Sequence, residues 1–199
     1  MLVLGLTGSL AMGKTTVAAM FAAEGAAVFD ADRAVHDLYA GAAVAPIEAA
    51  FPGTTQDGAV DRAALGRRVA GDAAALARLE KIVHPLVHGA EDGFRAEAAR
   101  QGRRIAVLDI PLLLEGGGEN RVDAVVVVTT TAAIQAARIR HREGMTEEVA
   151  ARLLARQMPD ADKRARAHFL IETSGEFAAT RKQVRDVLRS LSARAAASG

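Results

Sequence analysis

A chain of 199 residues, 50% hydrophobic and 25% charged, can bury one sizeable core and has the composition of an ordinary globular protein. A formal net charge of +1 gives no basis for a nucleic-acid binder, and the absence of cysteine excludes disulfides and thiolate metal sites, in keeping with a reducing cytoplasm. The apolar start lacks a basic region and is cut short by a glycine turn, and no apolar run approaches the ~20 residues of a membrane helix, so neither a secretion signal nor a membrane span is expected.

The first element, MLVLGLT, is a short apolar run closed by glycine and reads as a buried strand. GKTTVAAMFAAEG follows with helical spacing at Val17, Met20 and Phe21 and ends at Gly25. AAVFDAD is a second short strand ending in two acids. Residues 33–101 offer no good strand; they read as alanine-rich helical segments, broken by FPGTTQDG and by His84-Pro85. A third strand, IAVLD, is stopped by Pro111, GGGEN is a loop, and VDAVVVVTT is a fourth strand. The arginine-rich stretch after it is helical, with Gly144 and Pro159 inside it. AHFLIETSG is a fifth strand, and an amphipathic helix closes the chain, its last few residues expected to fray. Continuous apolar strands separated by helices predict an α/β fold with a parallel sheet covered on both faces. The helical stretches after the second and fourth strands are expected to form two subdomains.

Residues 8–15, GSLAMGKT, fit G-x-x-x-x-G-K-[ST] between a predicted strand and a predicted helix. In such a loop the backbone N–H groups turn inward onto an anion, and the following helix aims its positive end at the same point. Gly8 and Gly13 supply backbone freedom and close approach. Lys14, one of only four lysines, is expected at the β- and γ-phosphates, and the Thr15 hydroxyl on Mg²⁺. GTPases, motors and small-molecule kinases all use this loop. No N-K-x-D guanine signature is present, and the chain is short for a motor. A small-molecule kinase also needs an acid near the γ-phosphate.

Asp30 and Asp32 stand at the carboxyl end of the second strand, the ligand-facing end of an open parallel sheet. If the strand runs on, alternation puts both on one side; alternatively Asp32 caps a helix. Asp109 ends the third strand, where a Walker-B-type acid touches Mg²⁺ directly or through water. Arg138 and Arg142 are spaced to share one helix face, as are Arg152 and Arg156, and a closing lid could bring one of them onto the transferring group. The alternative for these arginines is a solvated face paired with Glu143, Glu147 and Glu148. Up to this point an acceptor other than the one named below, or a nucleotide-binding regulator without catalysis, stays open.

The set GLTGSLAMGKTT, VFDADRAVH, VHPLV, LDIPLLLE, REGMTEEVAARLLARQ and ADKRARAHFLIETSG, in this order and spacing, resembles the dephospho-CoA kinase family over nearly the whole chain. The resemblance implies a P-loop NTPase three-layer fold with a five-stranded parallel sheet, a helical substrate-binding insert and a helical lid. The corresponding boundaries are a core of 1–32, 103–142 and 167–195, a CoA-binding insert of 33–102 and a lid of 143–166. It implies transfer of the ATP γ-phosphate to the ribose 3′-hydroxyl of dephospho-CoA, with Mg²⁺, in the cytoplasm. The small molecules ATP and dephospho-CoA are then the partners, without nucleic acid or membrane, in a monomer or small homo-oligomer.

Asp32, Lys14 and Arg142 are the implied catalytic residues. The nucleotide falls to Gly8, Ser9, Leu10, Ala11, Met12, Gly13, Lys14, Thr15 and Thr16. The acceptor falls to Asp30, Asp32, His84, Pro85, Pro111, Leu112 and Leu113, and the metal to Thr15 and Asp109. Glu115 and Gln157 also match motif positions. The family loop usually reads G-G-I-G-S-G-K-S-T; this chain departs from it at Ser9, Ala11, Met12 and Thr15. Ser9 and Ala11 fit only with negative or mildly strained backbone angles. Where the family often reads I-D-N, this chain has Ile171, Glu172 and Thr173.

Overall fold

The computed structural model of the chain describes residues 1–197, and side chains as far as residue 193. The fraying expected of the last few residues lies outside the described residues. The chain divides into two compact units, Met1–Phe29 with Ala98–Gly199, and Asp30–Glu97.

The first unit is built on a five-stranded sheet. Its strands are β1 (Leu2–Thr7), β2 (Ala27–Asp30), β5 (Ile105–Asp109), β6 (Ala124–Thr129) and β7 (Phe169–Glu172), in the order β2-β5-β1-β6-β7; β3 and β4 belong to the second unit. The β1–β5, β1–β6 and β6–β7 ladders are parallel, so the predicted α/β class is the one that forms. β5 and β6 are buried along their whole length, which is why they read as unbroken apolar runs instead of alternating ones.

The pleat sorts their side chains into two layers. Val126 and Val128 join Leu4, Leu6, Val107 and Ile171 against helices α1 (Lys14–Ala23) and α9 (Phe177–Ala197), which contribute Val17, Met20, Phe21, Val184, Val187 and Leu191. Val125 and Val127 point the other way, onto Leu113 and Leu114 and the half-buried Ile110, Val122 and Met158. Each fully buried side chain of this kind contributes about 1.5–3 kcal/mol. Between β6 and β7 the chain forms α6 (Ala132–Arg140), α7 (Glu147–Leu154) and α8 (Asp160–Ala165), separated near Gly144 and Pro159.

The second unit carries α2 (Ala31–Tyr39), α3 (Val44–Ala50), α4 (Arg62–Val69) and most of α5 (Ala73–Arg100), closed around Ile47, Phe51, Leu65, Leu79 and Val83. Two expectations are corrected here. Residues 33–101 do contain strands, β3 (Thr55–Gln56) and β4 (Ala59–Val60), paired antiparallel. Asp57 (φ 52°) and Gly58 (φ 77°) both take positive φ between them, the two-residue turn that matches strand twist. Glu48 pins the approach to this hairpin by accepting from the N–H groups of Gly53 and Thr54 and from the Thr55 hydroxyl. Those bonds, Gly53's first, hold its carboxyl below the ordinary glutamate value.

His84-Pro85 does not break a helix; α5 runs through Pro85 for 28 residues. Proline removes one intrahelical donor, but Leu79 and Val83 in the preceding turns are locked into the core, and packing of that face carries the helix past the defect.

Candidate active site

β1 hands the chain into the loop of residues 8–13. Gly8 is required for space: a Cβ there would stand 2.7 Å from the Val128 carbonyl oxygen. Gly13 is required for conformation, at φ 91°. Ser9 keeps a negative φ, whereas Ala11 sits at φ 61°, in the left-handed region that costs an alanine about 1–2 kcal/mol. The Met12 N–H donates to the Ser9 carbonyl (3.2 Å) and tightens the turn. α1 then starts at Lys14 with no side-chain cap and no acid in its first turn. Its N–H groups and dipole are thus directed at whatever anion enters.

Lys14 pairs through its ammonium with the carboxylate of Asp109, the last residue of β5. Both side chains are largely buried, so the strand-end acid and the loop lysine share one low-dielectric spot. Thr15 and Thr16 are exposed in the first turn of α1. A hydroxyl and a carboxylate oxygen are hard donors of the kind Mg²⁺ takes, in a site completed by phosphate oxygens and water. No group of three or more His, Cys, Asp or Glu could hold a metal among the described residues.

The loop is braced from several elements. Gln157, which follows α7, accepts from the Leu10 N–H (2.9 Å), and Gln135 on α6 donates to the Leu10 carbonyl (2.8 Å). Thr173, after β7, donates its hydroxyl to the Met12 carbonyl (2.7 Å) and accepts from Arg138 on α6 (2.9 Å). Glu115 accepts from the Met158 N–H (2.7 Å) and pairs with Lys163 (2.9 Å), an ammonium with no exposed side-chain surface. Gln135 carries no motif signal, Thr173 stands only as a departure from the family's I-D-N, and Arg138 is marked by its charge and its spacing to Arg142, not by a contact with the loop. The loop atoms they hold lie more than 100 positions away, where sequence spacing says nothing.

The remaining expectations divide. Pro111 accepts from the Thr7 hydroxyl (2.9 Å); Leu112 is exposed, while Leu113 is buried with Val125 and Val127 and serves the core. Arg142 does not share a helix face with Arg138, because α6 ends at Arg140 and Arg142 lies in the turn beyond it, exposed. Arg156 likewise falls beyond α7, so its pairing with Arg152 on one face is also corrected. In the second unit, β2 stops at Asp30 and the strand does not run on to Asp32. Asp30, not Asp32, is the cap, accepting from the Arg33 N–H (2.9 Å). This leaves the exposed Asp32 carboxylate in the first turn of α2, with no hydrogen bond or ion pair among the described residues. His84 and Pro85 are exposed on α5, the His84 ring stacked on His88 with centroids 6.3 Å apart.

Three comparisons bear on these residues. A family model described as dephospho-CoA kinase matches residues 2–179. A dephospho-CoA kinase of Rhodopseudomonas palustris (strain BisB18) is 54% identical over 188 residues, covering 94% of each chain. A crystal structure of the Thermus thermophilus protein TT1252 superposes with a TM-score of 0.83 at 30% identity, covering 96% of this chain and 97% of that one. A dephospho-CoA kinase structure from Campylobacter jejuni shares the fold, with a TM-score of 0.63 at 23% identity over 94% and 96% of the two chains.

Proposed function

The chain belongs to the dephospho-CoA kinase family, ATP-dependent enzymes that phosphorylate the ribose 3′-hydroxyl of dephospho-CoA, and from that premise we propose which of its residues carry each part of the reaction. Residues 8–16 take the ATP phosphates, a reading supported by the uncapped start of α1 and the glycine-enabled turn before it. Lys14 neutralises charge on the γ-phosphoryl oxygens as it transfers. Asp32 takes the proton of the 3′-hydroxyl while that oxygen bonds to the γ-phosphorus and the bond to the ADP oxygen breaks. Arg142, at the edge of a lid of residues 143–166, adds positive charge to the transferring group. Asp30, His84, Pro85, Pro111 and Leu112 shape the acceptor site, with residues 33–102 as the CoA-binding insert, and Leu113 anchors its segment from the core. Thr15 and Asp109 would hold Mg²⁺, which supplies charge neutralisation between the β- and γ-phosphates when bound.

The observation that carries this reading is the Lys14–Asp109 pair at the open end of α1. The decisive assay is ADP release from Mg·ATP with and without dephospho-CoA, with the product examined for a 3′-phosphate. Acceptor-dependent release with that product is expected. Release independent of acceptor, or a phosphate elsewhere, defeats the assignment. Lys14→Ala is expected to lower kcat/KM by about 10²–10³-fold and to weaken Mg·ATP binding. A variant with normal rates would sink the phosphate-loop role.

A further inference from the structure

The loop holds a conformation that its own sequence disfavours. Ala11 is left-handed at φ 61°, and an alanine released from that region relaxes to negative φ. Something outside the loop therefore fixes it. In a trans peptide unit the C=O and the next N–H point in opposite directions, and no cis bond is present among the described residues. Holding the Leu10 carbonyl outward turns the Ala11 N–H inward; holding the Met12 carbonyl outward does the same for the Gly13 N–H. The Leu10 carbonyl is held by Gln135 and the Met12 carbonyl by the Thr173 hydroxyl.

Thr173 is itself fixed from two sides. Its N–H donates to the Thr129 carbonyl (3.0 Å), anchoring it to the end of β6. Arg138 then grips it with both terminal nitrogens, Nη1 to its hydroxyl oxygen (2.9 Å) and Nη2 to its carbonyl (2.7 Å), while Nη1 also reaches the Ala11 carbonyl (3.4 Å). A Cβ on Gly13 would stand 3.2 Å from the Thr173 hydroxyl and 3.3 Å from Arg138 Nη1, so the pair lies directly against the loop's second glycine. The guanidinium is occupied by protein oxygens on the side facing the loop.

We propose that Thr173 and Arg138 are positioning residues for nucleotide binding: they clamp the Ala11–Gly13 backbone in its anion-accepting form. The proposal rests on reading residues 8–16 as the ATP-phosphate site. Without the clamp the loop spends part of its time in forms whose N–H groups face away, and apparent affinity falls by the competent fraction. Once nucleotide is bound, its phosphates organise the loop in the clamp's place. The signature is thus a raised KM for ATP with little change in kcat.

The test is titration with Mg·ADP together with steady-state kinetics. Thr173→Val keeps shape and removes the hydroxyl; it raises the Kd for Mg·ADP and the KM for ATP about tenfold, leaving kcat and the KM for dephospho-CoA within about twofold. Thr173→Ser restores the hydroxyl and brings both constants back to within about threefold of wild type. Arg138→Lys cannot bridge two oxygens with one point charge, gives the same split, and stands in if the valine variant does not fold. The double variant is no worse than the weaker-binding single, because both act through one device. Unchanged Mg·ADP affinity in Thr173→Val, or a serine variant as weak as the valine one, overturns the clamp and leaves the loop assignment standing. A wild-type chain that does not bind Mg·ADP overturns the loop assignment and the clamp together.

Discussion

Asp32→Asn binds Mg·ATP as tightly as the wild type and turns over about 10²–10⁴-fold more slowly. The local structure makes this a clean substitution. Asp30 caps α2, so changing Asp32 does not uncap the helix. Asp32 is exposed and has no partner among the described residues, so the change in stability stays within about 0.5 kcal/mol. Asparagine keeps the size and one acceptor oxygen but cannot hold the proton that leaves the attacking hydroxyl. Steady-state ADP release with saturating acceptor, beside an independent Mg·ATP titration, separates the two quantities. Parallel loss of binding and rate would assign Asp32 a structural role and return the search for the base to Asp30.

Lys163→Met destabilises the fold by about 3–5 kcal/mol, because it strands the Glu115 carboxylate in a largely buried site. Burial by itself raises the Glu115 pKa, but the Lys163 ammonium and the Met158 N–H outweigh it and bring it below the ordinary value of 4.5. A carboxyl depressed in the folded state contributes stability that is complete above its unfolded value and lost as pH falls through its folded value. In the variant, burial is left without the ammonium that offsets it, so its Glu115 is protonated before the wild-type carboxyl and the difference between the two proteins narrows as pH falls. Urea unfolding at about pH 7 and again at about pH 3.5 reads this directly. A difference that does not change with pH would mean that Lys163 contributes through the packing of its methylenes.

These two residues also mark where sequence reading succeeds and where it stops. The positions of Asp32, Lys14 and Asp109 are legible because each stands at an element end that sequence can locate: a strand terminus or the first turn of a helix. The phosphate loop was legible because backbone chemistry leaves its trace in glycines and one lysine. Nothing in ADKRARA marks Lys163 as buried, since its partner Glu115 lies on a different segment and the neighbouring charges suggest solvent. The clamp on the loop was hidden for the same reason: Thr173 reaches Met12 across 161 positions. The β3–β4 hairpin was missed because strands of two residues show no period, although its Asp-Gly pair was a usable turn signal. Pro85 was misread because the local rule for proline competes with a core that the rule does not see. Neither sequence alternative for Asp32, a continued strand or a helix cap, is the one that forms, since β2 ends at Asp30 and Asp30 is the cap.

The position of β1 at the centre of the sheet bears on the order in which the newly made chain can fold. β1 pairs with residues from Ile105 onward on one side and from Ala124 onward on the other, all of them made later than β1 itself. It must wait, apolar and unpaired, until the segments that carry β5 and β6 have been made. Asp30–Glu97 has its apolar cluster drawn entirely from its own span, so its contacts are complete long before β1 has a partner. Synthesis thus favours a sequence in which the intervening segment collapses first and the nucleotide-binding sheet closes last. Through that interval LVLGLT is an apolar, unpaired stretch of the kind that aggregates unless it is shielded.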